Sequence, residues 1–115
     1  MAELTVQTLV SAGLTPSFAS ASVGGDLFAN DDRTFLVAKN TSTGSNTVTI
    51  AKQRDVSVGG YGLLALADIV VIVPPTTGEK WIAVPPGAYN AGGKVQVTYS
   101  AVAGLTVAAV RRPQD

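Results

Sequence analysis

Apolar and polar positions alternate along much of this chain, and turn residues interrupt the alternation every ~8–12 positions, a spacing expected of an all-β sandwich or barrel. In LTVQTLV, Leu4, Val6 and Val10 fall on one face, with Thr5 and Gln7 opposite. TFLVAKN (Thr34 to Asn40) is more uniformly apolar and runs into the polar cluster NTSTGSN. TVTIAKQ follows, with Val48 and Ile50 alternating with Thr47, Thr49 and Ala51, so the pair reads as a hairpin. DIVVIV (Asp68 to Val73) reads as a strand buried on both faces, because β-branched residues dominate and Pro74-Pro75 stop it. GGYG (residues 59–62) reads as a turn, and EKWIAV (Glu79 to Val84) as a strand ended by Pro85-Pro86. KVQVTYSAV is the cleanest alternation, with Val95, Val97 and Tyr99 on one face and Gln96, Thr98 and Ser100 on the other. After a turn at Ala103-Gly104 the chain returns through LTVAAVRR.

The pattern therefore predicts one domain over residues 1–115, an antiparallel β-sandwich of seven or eight short strands without a helix. One stretch departs from it. SAGLTPSFASASVGGD (Ser11 to Asp26) is rich in Ser, Ala and Gly with little periodicity, and reads as a long loop or an arm that orders against a neighbouring subunit.

Charge changes the picture by what it excludes. Eight basic groups balance eight acidic ones, and charged residues are only 14% of the chain. Nucleic-acid binders carry a clear positive excess, so no nucleic-acid partner is expected. No apolar run approaches the ~20 residues of a spanning helix and no polybasic segment is present, so no membrane is expected either. MAELTVQTLV lacks the basic and apolar regions of a signal peptide, which points to synthesis in the cytoplasm. Cysteine and histidine are both absent. That removes disulfides, thiolate nucleophiles, the usual N/S zinc ligands and the commonest general base. No catalytic residue, cofactor or metal is expected.

The densest charge lies in FANDDRTFLVAKN, where Asp31 and Asp32 stand beside Asn30 and Arg33. With Asp26 these carboxylates could build a Ca²⁺ site or an acid/base pair. Their spacing does not match an EF-hand, and glycosidase pairs come from different elements rather than adjacent residues. The stretch reads instead as a turn whose carboxylates cap backbone N–H groups before a strand. GGYG and AGGK lack Walker spacing and read as hairpin turns.

Trp81, between the two Pro-Pro pairs, and Tyr89 could form a sugar-stacking platform, a core contact or an intersubunit anchor. Arg111 and Arg112 close the last strand, and arginine is favoured where protein surfaces meet. With Phe18 of the arm, these residues are the candidate interface positions.

GGDLFANDDRTFLVAKN, PPTTGEKWIAVPPGAYN and GKVQVTYSAVAGLTVAAVRR together resemble small head decoration (cement) proteins of tailed bacteriophages, over most of the chain from Gly24 onward. The resemblance is one of overall pattern and carries no residue motif. It implies a β-sandwich of jelly-roll type that binds the major capsid protein on the exterior of the virion, as a homotrimer at local three-fold positions. It also implies stabilisation of the shell against genome pressure. The competing expectations are a carbohydrate-binding or adhesin-like β-sandwich using Trp81, Tyr89 and Tyr61, and a carboxylate enzyme using Asp26, Asp31 and Asp32.

Overall fold

Alternation of the kind seen in KVQVTYSAV buries one set of side chains only if a second apolar sheet covers it, and the chain supplies two such sheets. A computed structural model describes residues 2–31, 33–53, 56–58, 60, 62–64, 67–84 and 89–113. The strands among them are β1 (Ala2–Leu4), β2 (Val6–Thr8), β3 (Ala19–Ser20), β4 (Asp26–Ala29), β5 (Thr34–Asn40), β6 (Asn46–Ile50), β7 (Val56–Val58), β8 (Gly62–Leu64), β9 (Ile69–Val73), β10 (Gly78–Ala83), β11 (Asn90–Ala91), β12 (Lys94–Tyr99) and β13 (Leu105–Arg111). The described residues contain no helix, so the all-β expectation holds.

Sheet I has the order β1-β4-β12-β6-β9, with β11 beside β12, and sheet II the order β10-β5-β13-β2, with β3 beside β13. A separate pair, β7 and β8, is antiparallel. Both large sheets are mixed rather than purely antiparallel, because β1 runs parallel to β4 and β2 parallel to β13. Those two parallel partners arise from one event. The expected single strand from Leu4 to Val10 breaks at Thr5, and its halves join different sheets.

One core lies between the sheets. Phe28, Val48, Ile50, Val95 and Val97 from sheet I meet Leu36, Ala38, Ile82, Leu105, Val107 and Ala109 from sheet II, all buried. A second, smaller core lies on the outer side of sheet II. There Val37, Ala108 and Val110 are covered by Leu9, Leu14, Phe18 and Phe35. This is why TFLVAKN and LTVAAVR carry unbroken apolar runs, Phe35 to Ala38 and Val107 to Val110: both faces of β5 and β13 are covered there, one by sheet I and the other mainly by residues 9–18.

Three local readings are corrected. TFLVAKN and NTVTI do not form a hairpin: β5 pairs with β10 and β13, whereas β6 pairs with β12 and β9. The intervening loop is a corner between sheets, held by Asn40. The strand IVVIV is not buried on both faces, since Val70 and Ile72 are each 60% exposed on the edge of sheet I. Residues 11–26 are not all loop, because Ala19–Ser20 pairs with β13 and Asp26 begins β4. The GGYG turn and Pro85-Pro86 fall partly or wholly outside the described residues.

Candidate functional site

The carboxylates separate. Asp26 is fully buried at the start of β4, where its Oδ2 accepts from the Tyr99 hydroxyl at 2.7 Å and the Ser22 N–H at 3.2 Å. Its Oδ1 has no hydrogen-bond partner. Burial, then the Asp26 hydrogen bond and charge, push the Tyr99 phenol well above its ordinary range. Asp31 sits in the turn before β5, its Oδ1 accepting from the Arg33 N–H and the Thr34 hydroxyl, each at 2.8 Å. Its Oδ2 lies 3.6 Å from Arg33 and 3.9 Å from Arg111. The Arg33 N–H, helped by the Thr34 hydroxyl and both guanidinium charges, holds the Asp31 carboxyl below its ordinary value against a smaller opposing effect of burial. Asp31 thus acts as the cap expected of it in the Asn30-Asp31-Asp32 turn. Asp32 lies outside the described residues. No group of three or more acidic or other metal-ligating side chains occurs among the described residues.

The interface candidates also divide. Tyr89 packs on the main core and donates its hydroxyl to the Ala67 carbonyl at 3.0 Å. Phe18 caps the outer core of sheet II, with the Lys39 ammonium 4.4 Å above its ring. Arg111 donates to the Thr8 hydroxyl at 3.0 Å, joining β13 to β2 and to Asp31. Arg112 is exposed, and its carbonyl accepts from the Arg33 guanidinium at 3.5 Å. Tyr61 lies outside the described residues.

Trp81 stands apart from Tyr89, on the outer side of β10 opposite Val37. It is 57% exposed, and one ring face rests on Phe35 with centroids 5.1 Å apart and planes 23° from parallel. Its indole N–H donates to Glu79 at 2.7 Å, and Glu79 in turn pairs with Lys39 at 3.8 Å. Positions 79 and 81 share a face because strand side chains alternate, so this pairing was available from spacing alone. Phe35 and Lys39, brought alongside by β5, were not.

Two further surfaces lie among the described residues. The outer face of sheet I sets Thr47 and Thr49 beside Ile72 and Val70, with Thr98 beyond Thr49. None of these five carries a charge. A cleft of about 430 Å³ opens where Glu3–Thr5, Gln7 and Ser17–Ala19 approach Val107, Ala108 and Ala109. The Gln7 amide spans its rim like a peptide group, donating to the Ser17 carbonyl and accepting from the Ser17 N–H, both at 2.8 Å. The Glu3 carboxylate there is paired with Lys94 at 2.7 Å.

Compared with known protein families, curated proteins and solved structures, the chain matches none.

Proposed function

We propose that the chain is a structural binding protein rather than an enzyme, and that it decorates the exterior of a tailed-phage capsid as a trimer bound to the major capsid protein. The observation that carries this reading is the open outer face of sheet I. On sheet II the outer residues Val37, Ala108 and Val110 are covered by Leu9, Leu14 and Phe18, whereas Val70 and Ile72 on sheet I stay exposed beside uncharged threonines. Apolar groups left together on a surface mark a contact site. The uncharged patch that Val70 and Ile72 form with Thr47, Thr49 and Thr98 can dock without desolvating ions, and repetition over a shell multiplies a weak single contact through effective concentration. The pattern resemblance supplies the partner, and the jelly-roll topology belongs to the same proposal. Successive long strands pass back and forth between the sheets, as β4, β5, β6 and then β9, β10, β12, β13 do, which supports it.

Co-sedimentation with expanded shells of the phage that encodes the chain tests the reading. Saturable binding is expected, and Val70→Lys with Ile72→Lys should weaken it at least tenfold without moving the unfolding midpoint. No binding by the natural chain, or undiminished binding by the double variant, overturns it. The second reading, carbohydrate binding, is favoured by the exposure of Trp81.

A further inference from the structure

We propose that the outer face of β10 carries a carbohydrate platform, in which Trp81 stacks on a pyranose ring while Glu79 and Lys39 hydrogen-bond its hydroxyls. This site is independent of the sheet I face and goes beyond shell binding.

A sugar ring presents a flat C–H face edged by hydroxyls. Its receptor therefore needs a fixed aromatic plane with donors and acceptors at the margin. Trp81 meets the first requirement. Its ring is backed by Phe35 and its indole N–H is held by Glu79, so the plane is set before any ligand arrives, and more than half of the residue stays exposed. Glu79 and Lys39 meet the second. A carboxylate has about four acceptor positions and an ammonium three donors. The indole and Lys39 occupy part of Glu79's capacity, while Glu79 and the Phe18 ring occupy part of Lys39's. What remains points to a ligand with both donors and acceptors, as neighbouring hydroxyls have.

The same neighbours argue against a protein anchor. Tryptophan hot spots sit in desolvated pockets from which Lys and Glu are depleted. Here a half-exposed ion pair lies beside the ring, with both side chains more than 40% accessible. The expected companion Tyr89 takes no part, since it packs on the core.

Trp81 is the only tryptophan, so its emission reports the site directly. The natural chain is titrated with cellohexaose, chitohexaose, xylohexaose and mannohexaose, and binding is measured in parallel by calorimetry. A saturable emission change with at least one probe is expected. Trp81→Ala should then weaken calorimetric binding more than tenfold, and Glu79→Gln severalfold, with thermal unfolding unchanged for Glu79→Gln. The Val70→Lys, Ile72→Lys variant should bind the sugar normally, which separates this site from the shell-binding face. Silence with all four probes at millimolar concentration overturns the proposal, as does binding that survives Trp81→Ala. It is overturned equally if no probe binds and Trp81→Ala instead abolishes shell binding, for Trp81 would then belong to a protein interface.

Discussion

Replacing Asn40 by Asp would exchange one NH₂ group for an oxygen and should unfold much of the protein's margin of stability. Asn40 is fully buried at the end of β5. Its amide nitrogen donates to the carbonyls of Gly44 at 2.9 Å and of Val73 and Pro74 at 3.2 Å. Its oxygen accepts from the Ser42 N–H at 3.0 Å, the Ser42 hydroxyl at 2.7 Å and the Asn46 amide at 3.2 Å. One side chain thus ties β5 of sheet II to β6 and β9 of sheet I. A carboxylate there would keep the accepting half and turn its other oxygen toward three carbonyls. Leaving a buried charge uncompensated costs about 3–5 kcal/mol, a large part of the ~5–15 kcal/mol that holds a domain together. The neutral truncation Asn40→Ala should cost about 2–4 kcal/mol, because buried partners lose their hydrogen bonds without gaining a charge. Urea unfolding followed by circular dichroism, with each variant compared with the natural chain at the same pH, measures both. The sign with pH follows from the site. Surroundings that disfavour the charged form raise the folded-state pKa of the new carboxyl above its unfolded value of ~4, so the penalty of Asn40→Asp grows as pH rises above ~4 and shrinks toward it. An Asn40→Asp protein within ~0.5 kcal/mol of the natural one at pH 7, or one equally impaired at pH 4 and pH 7, would show that no buried charge is stranded at this corner.

Three further outcomes are expected. A Cβ at Gly78 would run into the Pro74 carbonyl across the β9–β10 connection, so Gly78→Ala should lower the urea midpoint by the equivalent of ~1–3 kcal/mol. Tyr99 has a raised folded-state pKa, so its stabilisation is complete below the ordinary tyrosine range near pH 10 and is lost above it, as the unfolded chain ionises first. Chemical unfolding from pH 8 to 11 should show that decline, and Tyr99→Phe should flatten it while costing ~1–3 kcal/mol at neutral pH through the stranded Asp26. Asp31 has the opposite sign, its lowered pKa giving stability that is present above its ordinary value of 3.8 and lost as pH falls through the folded-state value. Its side chain is more than a third exposed, so Asp31→Asn should remove less than ~1 kcal/mol of that acid-sensitive stability, read from unfolding curves between pH 2 and 6.

Alternation made β12 legible, and nearly continuous apolar runs made β5 and β13 legible as buried strands. The same rule misled at Ile69–Val73. A run of β-branched residues looks identical whether both faces are covered or one lies open at a sheet edge, and only the strand order distinguishes them. NTSTGSN has the composition of a hairpin turn, yet Asn40 and Asn46 are buried inside it, and side-chain bonds to Val73 and Pro74 more than 30 residues away turn it into a corner between sheets. β4 was hidden because an inward aspartate looks like loop chemistry. Asp26 is tolerated there through Tyr99, a partner no local window contains. Among the interface candidates, the withdrawal of Phe18 and Tyr89 into packing depended on tertiary contacts, whereas the position of Trp81 on one strand face with Glu79, which was not a candidate, follows from their spacing.

Hydrogen exchange of the chain, free and bound to expanded shells, reports whether the outer face of sheet I is what docks. Added protection of amides in β6 and β9 is expected, with residues 9–18 and β10 unchanged. Protection confined to residues 9–18 and β10, with β6 and β9 exchanging as in the free protein, would place docking elsewhere.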